Sequence, residues 1–218
     1  MRSERLFVNA TLAAAWRRIS KQSLRPRRRA LLALPLLALA GCHHDLSPQD
    51  VSVRGLVPPL AFTMTDAATG RTVTEADFTG AVTLLYFGYT HCPDVCPATL
   101  YNLQRIQTRM GAAAAKVRVL FVTVDPDRDT PSLLAQYTAL FGANVTGLRG
   151  TADQLYALAR RYRVVFSVSK TPTYAVTHSA AVYVFNAKGQ PEFIIAGLDT
   201  PQPDLDGIAR DLRDVADE

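Results

Sequence analysis

Cysteine is scarce in this chain. Of three in 218 residues, Cys92 and Cys96 stand four positions apart in Tyr89-Thr90-His91-Cys92-Pro93-Asp94-Val95-Cys96-Pro97, and the third is Cys42. So few cysteines exclude a small scaffold stapled by many disulfides. Histidine is nearly as rare: His43, His44, His91 and His178 are the whole set, so any metal site has few imidazoles to draw on. The single tryptophan, Trp16, lies near the N-terminus, ahead of the targeting segment's basic run, and is not expected to contribute to the folded domain. No apolar stretch reaches the roughly 20 residues that cross a bilayer as a plain helix. The positive charge is also unevenly placed. Residues 1–41 hold nine of the 24 Lys/Arg against one acid, leaving 15 basic and 18 acidic residues for the remainder. The basicity belongs to the leader, and nucleic acid is not an expected partner. The length suits one ordinary globular domain, and there is no internal repeat or low-complexity tract.

The leader reads as a targeting segment over residues 1–41. Arg25-Pro26-Arg27-Arg28-Arg29 is a positive region, Ala30 to Leu37 is a short apolar region, and Leu39-Ala40-Gly41 is a small-residue approach to Cys42. Leu39-Ala40-Gly41-Cys42 resembles the bacterial lipoprotein signal, in which the cysteine is acylated and becomes the mature N-terminus. An uncleaved anchor helix with an incidental cysteine is the alternative. Either reading places the rest outside the cytoplasm at a membrane surface, periplasmic and lipid-anchored in the first case. The residues before Arg25 are a long prelude for a signal, which leaves the true start open. Residues 42–50 read as a polar tether and 51–218 as the folded domain.

Within 51–218, strand and helix patterns alternate. Short strands are expected near Val51–Arg54, Ala61–Thr65 and Arg71–Thr74, the last two joined by the turn Asp66-Ala67-Ala68-Thr69-Gly70. Ala81 to Tyr89 is an almost unbroken apolar run, as in a central strand covered on both faces. Leu100, Leu103, Ile106 and Met110 recur at helical spacing between Pro97 and Ala115. Val117–Val124 and Val145–Leu148 read as strands, and Thr130–Phe141 and Thr151–Tyr162 as helices opened by threonine caps. Ser179–Phe185 and Glu192–Ala196 read as a strand pair, and Pro201–Ala216 as a closing helix. The order predicts an α/β sheet of the thioredoxin type with an added N-terminal hairpin.

On that scaffold Cys92 falls in the turn after a central strand and Cys96 in the first turn of the following helix. That is the carboxyl edge of the sheet, where open α/β folds bind ligands. A structural disulfide is a weak explanation for the pair, because the entropy gained by a cross-link grows with the loop it closes and this loop is minimal. Side chains four apart on a helix lie about 5–6 Å apart at Cβ, so the sulfurs can share one metal or close a readily reduced disulfide. Two thiolates do not saturate a metal. Among the histidines His178, expected to open the penultimate strand beside the cysteine turn, is the best third ligand. Thioredoxins present a cis-proline at that spot, and Pro172 lies six residues too early to fill the role. Two sulfurs and one imidazole form a soft three-donor set that suits Cu(I) better than structural zinc, which usually has four ligands.

The nine-residue cysteine motif, Asp125-Pro126-Asp127-Arg128-Asp129-Thr130-Pro131 and the distant His178 together resemble the Sco/SenC family. The resemblance covers nearly all of residues 50–215. It implies a membrane-tethered, thioredoxin-fold protein that binds copper through Cys92, Cys96 and His178. It further implies a role in assembling the copper centre of cytochrome c oxidase subunit II, or of another copper protein. The family often has an acid immediately before the histidine, where this chain has Thr177.

Other marked residues have simpler readings. His91 should diverge from the sulfurs, Asp94 is favoured by the helix dipole alone, and Asp129-Thr130-Pro131 is a helix cap. Asp125 and Asp127 line the site or dock a partner. Three activities compete. The first is copper delivery, with or without reduction of a target's thiols by a Cys92–Cys96 redox pair. The second is general extracytoplasmic thiol–disulfide exchange without copper, for which three residues between the cysteines, rather than two, are unfavourable. The third is a thiol peroxidase, which resembles Pro-x-x-x-Thr-x-x-Cys, whereas Thr90 precedes Cys92 by two and no proline leads it.

If Cys42 is acylated, Cys42→Ser should release the protein from membranes or leave its signal unprocessed. Fractionation with intact-mass measurement checks this, and an unmodified Cys42 in membrane-bound protein would contradict it.

Overall fold

The computed structural model describes residues 45–218; the leader, Cys42, His43 and His44 lie outside them. The strands are β1 (Asp50–Ser52), β2 (Thr63–Asp66), β3 (Thr72–Thr74), β4 (Val82–Gly88), β5 (Val117–Thr123), β6 (Val145–Arg149), β7 (Phe166–Ser169), β8 (Ala175–His178), β9 (Val182–Phe185) and β10 (Pro191–Ile195). The helices are α1 (Val95–Met110), α2 (Pro131–Ala139), α3 (Ala152–Arg161) and α4 (Leu205–Asp217). Eight strands form one sheet in the order β1-β10-β9-β4-β5-β6-β2-β3.

The centre of the sheet follows from the apolar runs. β4 lies parallel to β5 from Val82↔Val117 to Gly88↔Thr123, and antiparallel to β9 on its other side. Every residue of β4 is buried, as a strand covered on both faces requires. β5 continues in parallel to β6, so the three strands' carboxyl ends share one edge of the sheet. α1 leaves that edge directly after β4 and buries Cys96, Leu100, Leu103, Ile106 and Met110, the predicted helical stripe preceded by the second cysteine. The hairpin β2–β3 joins the sheet beyond β6.

Helix starts follow their local chemistry. The Thr130 hydroxyl accepts from the Leu133 amide with Pro131 in the first turn, and Thr151 forms a reciprocal cap with Gln154. Asp94 precedes α1 without a side-chain cap bond, in keeping with a dipole role only. At the β1 side of the sheet, Ser47 and Asp50 are buried, and the Ser47 amide donates to Asp211 of α4 at 2.6 Å. Among the described residues, no helix is long and apolar enough to cross a membrane.

One prediction needs correction. His178 does not open the penultimate strand: it ends β8, which pairs only with β7 in a separate two-stranded ribbon, and β9 begins at Val182. The ribbon is legible only weakly in sequence. Its strands alternate half-buried with exposed residues and are rich in Ser, Thr and Ala, so they lack the apolar content that marked the others. The Thr171–Pro172 bond is cis, but Pro172 sits between β7 and β8, as its distance from His178 required.

Candidate metal centre

The site is built where β4 ends. Gly88, the last residue of β4, has no room for a side chain: a Cβ there would lie 2.5 Å from the Phe121 ring and 2.9 Å from the Cys96 sulfur. Its absence lets the first turn of α1 settle against the sheet and buries Cys96 completely, at 0% exposure. Cys92, in the turn before the helix, keeps 9%. The two are free thiols, and the Cys96 amide donates to Cys92 Sγ at 3.3 Å.

His178 reaches the pair from β8. Its Nε2 lies 3.2 Å from Cys96 Sγ, while Nδ1 lies 3.0 Å from the carbonyl oxygen of Ser179. A carbonyl only accepts, so Nδ1 carries the proton and Nε2 presents its lone pair to the sulfur. An imidazole whose far nitrogen donates to a carbonyl is the usual preparation for metal ligation. The edges of Tyr89 and Tyr86 steady the ring, with centroids 5.7 and 6.2 Å away. The donor atoms of Cys92, Cys96 and His178 all lie within 4.8 Å of one another. One ion can bridge them.

Burial sets the protonation of the metal-free site. Loss of hydration pushes the Cys96 thiol up to about 12, so it holds its proton at neutral pH. The same loss lowers His178, keeping the imidazole neutral. The contact between them is therefore a thiol donating to a neutral ring. A metal entering the site must displace the Cys96 proton but finds the His178 lone pair ready.

The remaining candidates fall elsewhere. His91 points away from the sulfurs, as expected: its Nδ1 is 3.1 Å from the Thr90 hydroxyl and 3.5 Å from Asp129. Asp127 pairs with Lys170 at the surface, and Asp125 is buried against Arg128 and Tyr174. Thr177 points away from the metal face and shares a hydrogen bond of 2.7 Å with Ser167, so position 177 does not orient His178. Residues the sequence reading passed over include Ser179, Gly88 and Asp129 as a clamp. Asp129 is fully buried and accepts from the Thr90 amide and hydroxyl and from the Thr123 hydroxyl at 2.5–3.0 Å, pinning the cysteine turn to the end of β5. Its capping position concealed that role.

Comparison with known proteins agrees with this geometry. Residues 59–213 match the family described as SCO1/SenC. The chain belongs to that family. It is 41% identical over 125 residues to a mitochondrial SCO2 homolog of Bos taurus, covering 55% of this chain and 47% of that protein. The chain thus spans about half the length of the curated relatives it matches. Among solved structures, ScoI of Bradyrhizobium japonicum with copper bound shares 33% identity, with a TM-score of 0.63 over 72% of this chain and 98% of that one. Yeast Sco1 with copper bound shares 29%, also with a TM-score of 0.63, over 72% of this chain and 87% of that one. The mixed sheet with its helices is the Sco thioredoxin-like fold.

The unequal burial of the two thiols has a direct readout. In reduced, metal-free protein at pH 7, iodoacetamide should label Cys92 faster than Cys96, because Cys96 is fully buried and its thiol is pushed up to about 12, and the thiolate is the reactive form. Labelling of Cys96 should rise as pH climbs toward about 12. Peptide mass mapping checks this, and equal labelling of the two at pH 7 would contradict the described burial.

Proposed function

We propose that this chain binds one copper ion through Cys92, Cys96 and His178 and assists assembly of a copper centre in a partner protein. The partner the family implies is cytochrome c oxidase subunit II. The observation that supports this most directly is the convergence of two sulfurs and one imidazole nitrogen within 4.8 Å. Thiolates and a neutral imidazole are soft donors, and three of them suit Cu(I) while leaving it exchangeable. Hard cations that require many oxygens find no such ligands here. The named relatives with copper bound support the choice of metal.

Copper is cargo in this reading. Transfer needs a site that binds without enclosing, and a three-donor set leaves the ion open to a partner's ligand. The same dithiol has a second use. Oxidation of Cys92 and Cys96 to a disulfide gives up two electrons and two protons, enough to reduce one disulfide in a target before metal enters it. General thiol–disulfide exchange without copper remains the competing reading, favoured by the nearness of the two sulfurs.

Acylation of Cys42 would hold the domain at the extracytoplasmic face of a bacterial membrane on a tether shorter than the expected 42–50, because Ser47 and Asp50 are already packed into the domain. That placement brings it to membrane-bound partners.

His178 separates the two readings, since an imidazole completes a metal site but forms no bond in dithiol exchange. His178→Ala should weaken Cu(I) affinity by more than the 10- to 100-fold typical of losing an outer hydrogen bond, with Cys92–Cys96 still able to cycle. Cys92→Ser should abolish both properties. Competition with a Cu(I) chelator and thiol titration check these outcomes; unchanged copper affinity in His178→Ala would overturn the ligand assignment.

A further inference from the structure

His178 belongs to a ribbon that makes no ladder with the main sheet, so something other than strand pairing must set its distance from the cysteines. β7 is anchored by the stack of Phe166 on Tyr156 of α3, at 5.1 Å, whereas the polar contacts at the start of β8 meet one short segment, residues 125–129, between β5 and α2. The Tyr174 hydroxyl donates to Asp125 Oδ1 at 2.5 Å. Arg128 donates to the other oxygen of Asp125, and its guanidinium lies 3.8 Å over the Tyr174 ring. Asp125 is 1% exposed and Arg128 31%, so this charge-assisted bond is buried on its carboxylate side, unlike the surface pair Lys170–Asp127. Tyr174, Val176 and His178 are half-buried while Ala175 and Thr177 are exposed. Tyr174 and His178 therefore face the body of the protein together, about 13 Å apart along the strand.

The same segment also holds the other half of the site, through Asp129 on Thr90. Asp125 grips the ribbon that bears His178, and Asp129, four residues on, grips the turn that bears Cys92. We propose that Asp125, Arg128 and Tyr174 form a latch that sets the reach of His178 toward the sulfurs, making Arg128 and Tyr174 positioning residues of the metal site. The inference rests on the copper-site reading above. Arg128 is suited to the task because a planar guanidinium bonds a carboxylate along its edge while stacking on a ring with its face; lysine does only the first.

The test uses Tyr174→Phe, which removes one hydroxyl, and Arg128→Lys, which keeps the charge opposite Asp125 but loses the stack. In metal-free protein, hydrogen exchange of the amides in Ala175–His178 should accelerate in both variants, with β4 and β5 unchanged. Cu(I) affinity should fall about tenfold or more, the scale of losing an outer-shell partner, while the Cys92–Cys96 redox equilibrium stays the same. In a His178→Ala background the added Tyr174→Phe should cause no further loss, because the latch acts only through that ring. Two results would overturn the latch while sparing the copper site: full affinity in Tyr174→Phe when His178→Ala is impaired, or an equal loss in both backgrounds. If His178→Ala itself keeps full affinity, the copper-site reading fails and the latch falls with it.

Discussion

The site depends on one contact made across 82 residues of chain, the 3.2 Å approach of His178 Nε2 to Cys96 Sγ. Neither group has latitude once it is made. Cys96 is held by the packing of α1 on the sheet, which the missing side chain at Gly88 permits. His178 is held by the Ser179 carbonyl, the tyrosine edges and the grip of Asp125 and Arg128 on its ribbon. Both partners stay neutral for the same reason, the cost of burying charge. The result is a site shaped before any metal enters, in which the Cys96 thiol still holds its proton while the His178 nitrogen already presents a free lone pair.

Parts of this were readable in advance, where local chemistry and tertiary demand agreed. β4 and β5 showed themselves as long β-branched and aromatic runs because both faces of a central strand are covered. The stripe Leu100, Leu103, Ile106, Met110 marked α1, and the threonine caps marked α2 and α3 to within a residue or two. Cys92 and Cys96 stood out by rarity and spacing. His178 was reached by elimination among four histidines and by family resemblance, although the strand imagined around it was the wrong one. The ribbon β7–β8 was missed because its strands are half exposed and poor in large apolar residues. The latch was invisible for a different reason: Tyr174 and Arg128 are 46 positions apart and neither breaks a local pattern, so only the folded chain brings ring and guanidinium together.

The segment 125–129 illustrates how one stretch can meet two demands. Asp129 looks like part of a helix cap, and Thr130 beside it does cap α2. Its carboxylate is nonetheless fully buried against Thr90 and Thr123, where three donors satisfy it and fix the cysteine turn. Asp125 is satisfied in the same way by Arg128 and Tyr174. Buried carboxylates are costly unless so matched, and here one matching residue, Thr90, lies in the cysteine turn and another, Tyr174, directly precedes the strand that carries His178. The arrangement separates two properties that a dithiol alone would combine. Thiol exchange needs only the turn, whereas metal binding as proposed draws on the turn and the ribbon together.

The most direct test of the central claim is X-ray absorption at the copper edge of the Cu(I)-loaded chain. The account predicts one copper per chain, with two sulfur scatterers and one imidazole nitrogen in its first coordination sphere. A sphere of sulfur alone, or of nitrogen and oxygen without sulfur, would contradict it.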